Sequence, residues 1–301
     1  MSSTHRIAVL KGGPSAEREV SLVSGRECAA GLRDAGFDVV EIDAGDDLVE
    51  RLREAKPDAV FNALHGRWGE DGCVQGLLEW LHLPYTHSGV TASAIAMDKM
   101  KAKAVFLAEG LPMAESLLAA PQAIVDAHAM EPPYVVKPYN EGSSVGIHIV
   151  AAGANSPPRI DVSDAPPLLM VERYVAGREL TVAVQDGEPL AVTEIIADGW
   201  YDYDAKYKAG GSRHEVPARL PESVARDCMD IAARAHAALG CRGISRADLR
   251  FDDGTGELAL LEVNTQPGMT PTSLVPEQAA HRGMDFPALV RWMVEDASCG
   301  R

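Results

Sequence analysis

The sequence has few cysteines and no pairing pattern among them. Its 301 residues include five, and no two are spaced as CxxC: Cys28, Cys73, Cys228, Cys241 and Cys299. An odd and scattered set of this kind argues against a disulfide framework and against a zinc site. The sequence therefore indicates a protein of a reducing compartment.

Long apolar runs and basic runs are also lacking. No stretch reaches the roughly 18 apolar residues of a membrane-spanning helix, and the first apolar run, residues 7–10, is too short for a signal peptide. Lys and Arg number 28 against 44 Asp and Glu, a formal net charge of −16. Without a basic run, this balance disfavours nucleic acid and anionic membranes as partners. We expect a soluble cytoplasmic protein.

The first ninety residues alternate short apolar runs with helical patterns. Strands are predicted over residues 5–10, 37–43 and 58–64, with helices between them, the first over residues 21–35. A further helical pattern covers residues 91–110. This alternation predicts a parallel sheet whose ligand edge lies at the carboxyl ends of the strands. Glu17 follows the first strand and His65 the third, so both are expected at that edge. A helix-entry glutamate and a structural loop histidine fit the same two positions.

A hairpin with acidic side chains is predicted from strands at residues 244–251 and 257–264. The register that pairs Asp252 with Leu258 gives two further pairs: Asp248 with Glu262, and Arg246 with Asn264. Opposed side chains on one face lie about 4.5–5.5 Å apart at Cβ, so two carboxylates and an amide oxygen converge. A small set of oxygen ligands suits Mg²⁺, and a solvated salt-bridge ladder fits the same spacing.

Two loops are candidates for covering a ligand. In residues 137–146, glycines and the hydroxyls of Ser143 and Ser144 would let the backbone approach an anion, and Lys137 would add a positive charge. This segment lacks the ending and the helix of a P-loop, and a plain hairpin loop fits it equally well. The polar stretch 198–216 is long and holds three tyrosines, which predicts an ordered lid.

Taken together, these segments resemble the D-alanine:D-alanine ligases of the ATP-grasp superfamily. The matching strings follow the family order over nearly the whole chain: GG at 12–13 with SAEREVS at 15–21, ALHG at 63–66 with GEDG at 69–72, PYT at 84–86 with SGV at 88–90, MDK at 97–99, EGSSVG at 141–146, YDYDAKY at 201–207, and LEVNT at 261–265 with PGMT at 267–270. The resemblance implies a mixed α/β and α+β chain, in which a Rossmann-like parallel-sheet domain precedes a two-lobed ATP-grasp fold. Together with the changes in strand and helix pattern along the chain, the resemblance predicts three domains, at residues 1–93, 94–178 and 179–301.

The resemblance also implies a nucleotide site with divalent metal. Its predicted ATP contacts are Lys99, Lys137, Ser144, Glu172, Tyr174, Val175, Glu179, Lys206 and Asn264. Glu172 and the backbone at Tyr174 and Val175 would hold the adenine, and Glu179 the ribose. Asp248, Glu262 and Asn264 would bind Mg²⁺ or Mn²⁺, as a pair of ions.

Four residues are implied for the first D-alanine and for closure of its site. Glu17 would hold the ammonium group, and His65 would lie near the carboxylate. Ser143 and Tyr207, bridged to Glu17, would close the lid. Lys206 with Tyr207 resembles the dipeptide-forming branch of the family.

Four more residues are implied for the reacting centre and the second D-alanine. Arg246 and the Gly268 amide would form the oxyanion hole, and Ser273 with Leu274 would receive the second carboxylate. The implied reaction makes D-alanyl-D-alanine through an acyl phosphate, with release of ADP and phosphate, for peptidoglycan synthesis. The resemblance further implies a homodimer formed through the N-terminal domain.

Two other functions stay open. A sister ligase would make D-alanyl-D-lactate or D-alanyl-D-serine. A catalytically silent nucleotide or amino-acid binding module should have lost a metal ligand or the oxyanion arginine, whereas all of these are present in the sequence. One departure from the family is the proline-rich stretch 153–167, where the family builds a helix; its Pro157-Pro158 and Pro166-Pro167 pairs exclude a regular helix of any length.

Overall fold

The chain begins with a parallel sheet of three strands. The computed structural model describes residues 5–142, 146–196 and 213–300. Strand β1 (Arg6–Lys11) lies between β2 (Asp38–Asp43) and β3 (Ala59–Asn62), and both pairings are parallel. The middle of β1 is apolar and fully buried, as expected for a parallel strand covered on both faces. The predicted N-terminal sheet is confirmed.

Helices follow these strands, and two of their boundaries differ from prediction. They are α1 (Arg18–Asp34), α2 (Leu48–Ala55), α3 (Cys73–Trp80), α4 (Val90–Met97) and α5 (Lys99–Ala108). The first helix was predicted to begin at residue 21 but begins at Arg18, which puts Glu17 at its N-cap.

The helical pattern over residues 91–110 is two helices rather than one. Asp98 has extended backbone angles and separates α4 from α5. Its carboxylate accepts a hydrogen bond from the Lys101 backbone N–H at 3.0 Å, which caps α5. Lys99 therefore lies at the first residue of a helix.

A second, antiparallel sheet follows. It contains β4 (Ser116–Ala119), β5 (Tyr134–Lys137), β6 (His148–Val150) and β7 (Leu169–Arg173), in the order β4-β7-β5-β6. The short helix α6 (Pro121–Asp126) and strand β4 were not predicted. Residues 153–167 contain neither helix nor strand, which confirms the expectation from their prolines.

A third sheet carries the predicted hairpin. Its strands are β8 (Arg178–Gln185), β9 (Glu188–Ile196), β10 (Arg213–Glu215), β11 (Ile244–Phe251) and β12 (Leu258–Asn264), all antiparallel, in the order β10-β9-β8-β11-β12. Helix α7 (Glu222–Leu239) packs its apolar face on this sheet and ends at Gly240, whose φ is 69°. Of the helices in the described part of the chain, none is long and apolar enough to cross a membrane.

The last two helices return to the N-terminal sheet. They are α8 (Leu274–His281) and α9 (Phe286–Glu295). Leu289 and Val290 of α9 share one buried cluster with Leu32 of α1 and Phe61 of β3. The N-terminal sheet is thus buried partly by the C-terminal end of the chain, which fixes the β1–β3 edge relative to the hairpin.

Candidate active site

The hairpin brings the predicted metal ligands together. Asp248 faces Glu262, and Arg246 faces Asn264, as the sequence predicted. The Asp248 carboxylate accepts two hydrogen bonds from the Arg246 guanidinium, at 2.8 and 2.7 Å, and one from the Asn264 amide at 3.0 Å. The Thr181 hydroxyl donates a further one at 2.8 Å. Arg246 therefore compensates the negative charge that Asp248 brings to the strand pair.

The predicted register is wrong nearer the turn. Asp252 was expected to face Leu258, but Phe251 does so. The reason is a bulge after Asp248, which shifts the pairing by one residue and leaves the ligand end in place. Asp252 instead accepts a hydrogen bond from the Gly254 backbone N–H at 2.9 Å and shapes the turn.

The donor set fits a small divalent cation. Glu262 lies with its Oε2 3.2 Å from Lys99 Nζ, and Asp248 is only 13% exposed. The site has two carboxylates, which is fewer than a metal site built from acidic, His or Cys side chains alone would need. Within residues 5–142, 146–196 and 213–300, no three or more His, Cys, Asp or Glu side chains are grouped so that they could hold a metal. Two carboxylates and the Asn264 amide leave coordination positions for water and phosphate oxygens, which is how Mg²⁺ is bound in proteins.

A cavity between the second and third sheets could hold a nucleotide. Every predicted ATP contact that the structure describes lines it: Lys99, Lys137, Glu172, Tyr174, Val175, Glu179 and Asn264. The other two, Ser144 and Lys206, lie outside the described residues. The cavity thus has cations at the hairpin end and a buried carboxylate in its wall.

Glu172 is held between two lysines, one of which the sequence did not reveal. Its Oε2 lies 2.7 Å from Lys137 Nζ, and its Oε1 lies 2.7 Å from Lys103 Nζ. Burial alone would raise the pKa of Glu172, but the charges of Lys137 and Lys103, and their hydrogen bonds, outweigh burial and lower it. The only sequence signal for Lys103 is its place one helical turn after Lys99.

Arg250 is a second residue that sequence reasoning missed. It donates hydrogen bonds to the Val175 carbonyl and the Tyr174 hydroxyl, both at 3.2 Å, and to Glu179 Oε2 at 3.4 Å. Because Arg250 is two residues after Asp248 on the same strand, alternation places both on one face of the sheet. This spacing was the sequence signal that could have identified Arg250 as a site residue. Because it contacts all three, Arg250 fixes the segment predicted to hold adenine and ribose.

A larger cavity adjoins the first and gathers the predicted D-alanine residues. Glu17, His65, Arg246, Gly268, Ser273 and Leu274 all line it. The two cavities share Glu70, Gly142, Glu262 and Asn264. Ser143 and Tyr207, the predicted lid contacts, lie outside the described residues, as does most of the predicted lid at 198–216.

Glu17 lies in a turn joined to the loop after β3. The Ser15 hydroxyl donates to the His65 carbonyl at 2.7 Å and accepts from the Glu17 backbone N–H at 3.2 Å. Gly66 has a φ of 69°, and a Cβ added there would collide with Glu17 Oε2. Only glycine therefore leaves room for this carboxylate and adopts this backbone without strain.

His65 is buried and fixed by hydrogen bonds from both ring nitrogens. Nδ1 lies 3.1 Å from Glu70 Oε1, and Nε2 lies 3.1 Å from the Ser24 hydroxyl. Glu70 belongs to the GEDG string, but no role was predicted for it. It orients the imidazole and also lines both cavities.

The N-terminus of α8 closes the far side of the larger cavity. Ser273 is its N-cap, and its hydroxyl accepts from the Thr270 backbone N–H at 3.1 Å. Leu274 is the first helical residue, so the N–H groups of Leu274 and Val275 have no acceptor within the helix and point toward its N-terminal end, whereas Pro276 has no N–H. His214 of β10 lies 2.7 Å from Glu277 of α8 and lines the same cavity.

Comparison with known proteins identifies the family. The model for the D-ala D-ala ligase C-terminus matches residues 113–295, and the model for the D-ala D-ala ligase N-terminus matches residues 43–88. The chain belongs to the D-ala D-ala ligase family. Two relatives in this family carry the name D-alanine–D-alanine ligase. The protein from Cereibacter sphaeroides is 66% identical and that from Ruegeria pomeroyi 65%, each alignment covering 98% of this chain and 97% of the relative.

Solved structures of the D-ala D-ala ligase family share the fold. The D-alanine–D-alanine ligase from Bacillus anthracis complexed with ATP superimposes with a TM-score of 0.81 at 32% identity, covering 98% of this chain and 97% of that one. A second structure of the Bacillus anthracis enzyme gives the same TM-score at 31% identity. The predicted fold class, a parallel-sheet domain followed by a two-lobed ATP-grasp fold, is confirmed.

Proposed function

We propose that this protein joins two D-alanine molecules into D-alanyl-D-alanine with ATP, releasing ADP and phosphate, for peptidoglycan precursor synthesis. The observation that carries the proposal is the junction of the two cavities at Glu262 and Asn264. A phosphate-bearing ligand in one cavity and a carboxylate-bearing ligand in the other would meet at these two side chains. The names of relatives at 60–66% identity over nearly the whole chain support the same reaction.

The reaction has two steps and needs no nucleophile from the protein. A carboxylate oxygen of the first D-alanine attacks the γ-phosphorus of ATP, the bond from that phosphorus to the bridging oxygen breaks, and ADP leaves. The amine of the second D-alanine then attacks the acyl carbon, phosphate leaves, and the amine loses its proton. Arg246 and the Gly268 N–H would stabilise the oxyanion of the tetrahedral intermediate.

Several side chains would bind the charged groups of the substrates. Glu17 would pair with the ammonium of the first D-alanine, and His65, fixed by Glu70, would lie near its carboxylate. Ser273 with the first N–H groups of α8 would bind the carboxylate of the second D-alanine. Ser143 and Tyr207 are assigned to lid closure from the sequence alone.

Divalent metal would be held by the hairpin. Asp248, Glu262 and Asn264 supply oxygen ligands for a pair of Mg²⁺ or Mn²⁺ ions. When bound, the ions would offset the charge of the transferring phosphoryl group. Lys99 and Lys137 would contact the phosphates from the chain itself, and Glu179 would contact the ribose.

The acceptor can be tested directly. Phosphate release would be followed with ATP and Mg²⁺ against D-alanine, L-alanine, D-serine and D-lactate, with products identified by mass spectrometry. We expect phosphate release with D-alanine, and D-alanyl-D-alanine as the product. Preference for D-lactate or D-serine would favour a sister ligase, and release with none of the four would favour a silent binding module.

Three further assignments complete the proposal. We assign domains to residues 1–93, 94–178 and 179–301, a homodimer formed through the first of them, and a cytoplasmic location, where ATP is available. The burial of α9 against the N-terminal sheet means that residues 286–295 of the third domain pack on the first domain. Light scattering of the purified chain tests the dimer, since a monomer's mass of 32.1 kDa would contradict it.

A further inference from the structure

Lys103, the second lysine on Glu172, has no role in the nucleotide contacts proposed above. Lys103 Nζ lies 2.7 Å from Glu172 Oε1, and the two side chains are each 4% exposed. Lys137 holds the other oxygen of the same carboxylate at 2.7 Å. One buried anion is thus shared by two cations, one from α5 and one from β5.

The two lysines differ in their access to the nucleotide cavity. Lys137 and Glu172 line it, whereas Lys103 lies behind the carboxylate and is not among the lining residues. Lys103 can therefore act on a bound nucleotide only through Glu172. Burying an ammonium group costs free energy unless it is paired, so this position requires the Glu172 carboxylate.

We propose that Lys103 is a positioning residue for nucleotide selection: it keeps Glu172 ionised and fixed when Lys137 shares its charge with the phosphates of ATP. This inference rests on the proposed function, in which the cavity binds ATP and Glu172 faces the adenine. An ionised carboxylate accepts a hydrogen bond from the adenine amino group. It repels the carbonyl oxygen that a hypoxanthine or guanine base carries at the same place.

Removing Lys103 would force a competition for Lys137. Of the two lysines that hold Glu172, Lys137 alone would then be left. The polyphosphate of the incoming nucleotide attracts this same lysine. Removing one partner of a buried ion pair is strongly unfavourable because the other charge is left uncompensated. The affinity for ATP should fall, and the carboxylate should be held less firmly against the base.

The test compares ATP with inosine triphosphate, which carries a carbonyl in place of the amino group and a proton on the neighbouring ring nitrogen. Lys103→Met should raise KM for ATP by about tenfold or more and reduce the preference for ATP over inosine triphosphate by a similar factor. Its kcat at saturating ATP and its KM for D-alanine should stay within about twofold of the wild type. Lys103→Arg, which keeps the charge, should restore most of the preference.

Lys101 provides a matched control on the same helix. Its side chain is 72% exposed and pairs with Asp98 at the surface, so Lys101→Met removes one lysine from α5 without touching Glu172. It should behave as the wild type toward both nucleotides. If Lys103→Met does not fold, Lys103→Gln replaces it with the same expected results, because glutamine retains a hydrogen-bond donor without the charge.

The possible outcomes separate this inference from the proposed function. Equal changes of KM for both nucleotides in the Lys103 variants would show a purely structural lysine and overturn the inference. KM values that stay unchanged for both nucleotides would overturn it as well. A wild-type protein that releases no phosphate from ATP with D-alanine would instead overturn the proposed function.

Discussion

Gly66→Ala tests the placement of Glu17 more selectively than changing Glu17 itself. The backbone at Gly66 has a φ of 69°, and a methyl group there would collide with Glu17 Oε2. Two separate costs follow. The left-handed conformation strains any residue other than glycine, and the collision moves the carboxylate away from its position in the larger cavity.

The expected loss can be worked out from these two costs. Strain of this kind costs about 1–2 kcal/mol of folding free energy and leaves the site intact. Displacing Glu17 removes a hydrogen bond to a charged group, worth about 1.5–3 kcal/mol. That loss corresponds to a decrease of about 10- to 150-fold in kcat/KM for D-alanine.

Gly110 offers a control that isolates the strain. Its φ is 68°, and a Cβ added there would have no atom within 4 Å. Gly110→Ala should lose a similar amount of stability in urea denaturation and keep the wild-type kcat/KM in the phosphate-release assay. If both alanine variants keep full activity, or both lose it equally, the assignment of Glu17 to the D-alanine subsite is wrong.

The remaining predictions concern the metal site and the thiols. Glu262→Gln should abolish turnover with little change in stability, since its side chain is 28% exposed, and excess EDTA should do the same to the wild type; turnover in EDTA would refute the metal site. Asp248→Asn should also abolish turnover. It should lower the free energy of unfolding, measured in urea, by about 1.5–3 kcal/mol, because an amide cannot accept all the hydrogen bonds of the carboxylate. Unchanged stability would contradict the contacts described. A thiol reagent should label exposed Cys73 in the folded protein and spare Cys241, where burial raises the pKa to about 12; prompt labelling of Cys241 would contradict its burial.

The hairpin shows what local pattern can and cannot predict. Alternation and the glycine-containing turn fix the strands, and the pairing of Asp248 with Glu262 follows from them. The bulge after Asp248 adds one residue to the pairing and leaves no mark in the alternation. The register was therefore right at the proposed metal ligands and wrong at Asp252.

The helix break at Asp98 was hidden for a different reason. The residues on both sides of it are good helix formers, so periodicity runs on through it. Two hydrogen bonds accompany the break: the Lys101 N–H donates to the Asp98 carboxylate, and the Lys99 N–H donates to the Tyr139 carbonyl. Asp98 belongs to the residue types that favour a helix N-cap, a signal that the continuous helical pattern concealed.

The partners of the site residues could not be predicted from the sequence alone. Lys103 of α5 and Glu172 of β7 are 69 residues apart in the sequence, and their side chains meet only in the folded chain. Arg250 meets Val175 in the same way, across 75 residues. Contacts of this kind depend on how sheets and helices are arranged in space, which no local spacing specifies.

If ATP phosphorylates a D-alanine carboxylate that is then joined to a second D-alanine, one oxygen atom of that carboxylate ends in inorganic phosphate. The most direct measurement uses D-alanine labelled with ¹⁸O in both carboxylate oxygens, with ATP and Mg²⁺, and mass spectrometry of both products. We expect D-alanyl-D-alanine and inorganic phosphate that carries one ¹⁸O atom from the substrate. Unlabelled phosphate, or labelled phosphate without the dipeptide, would contradict it.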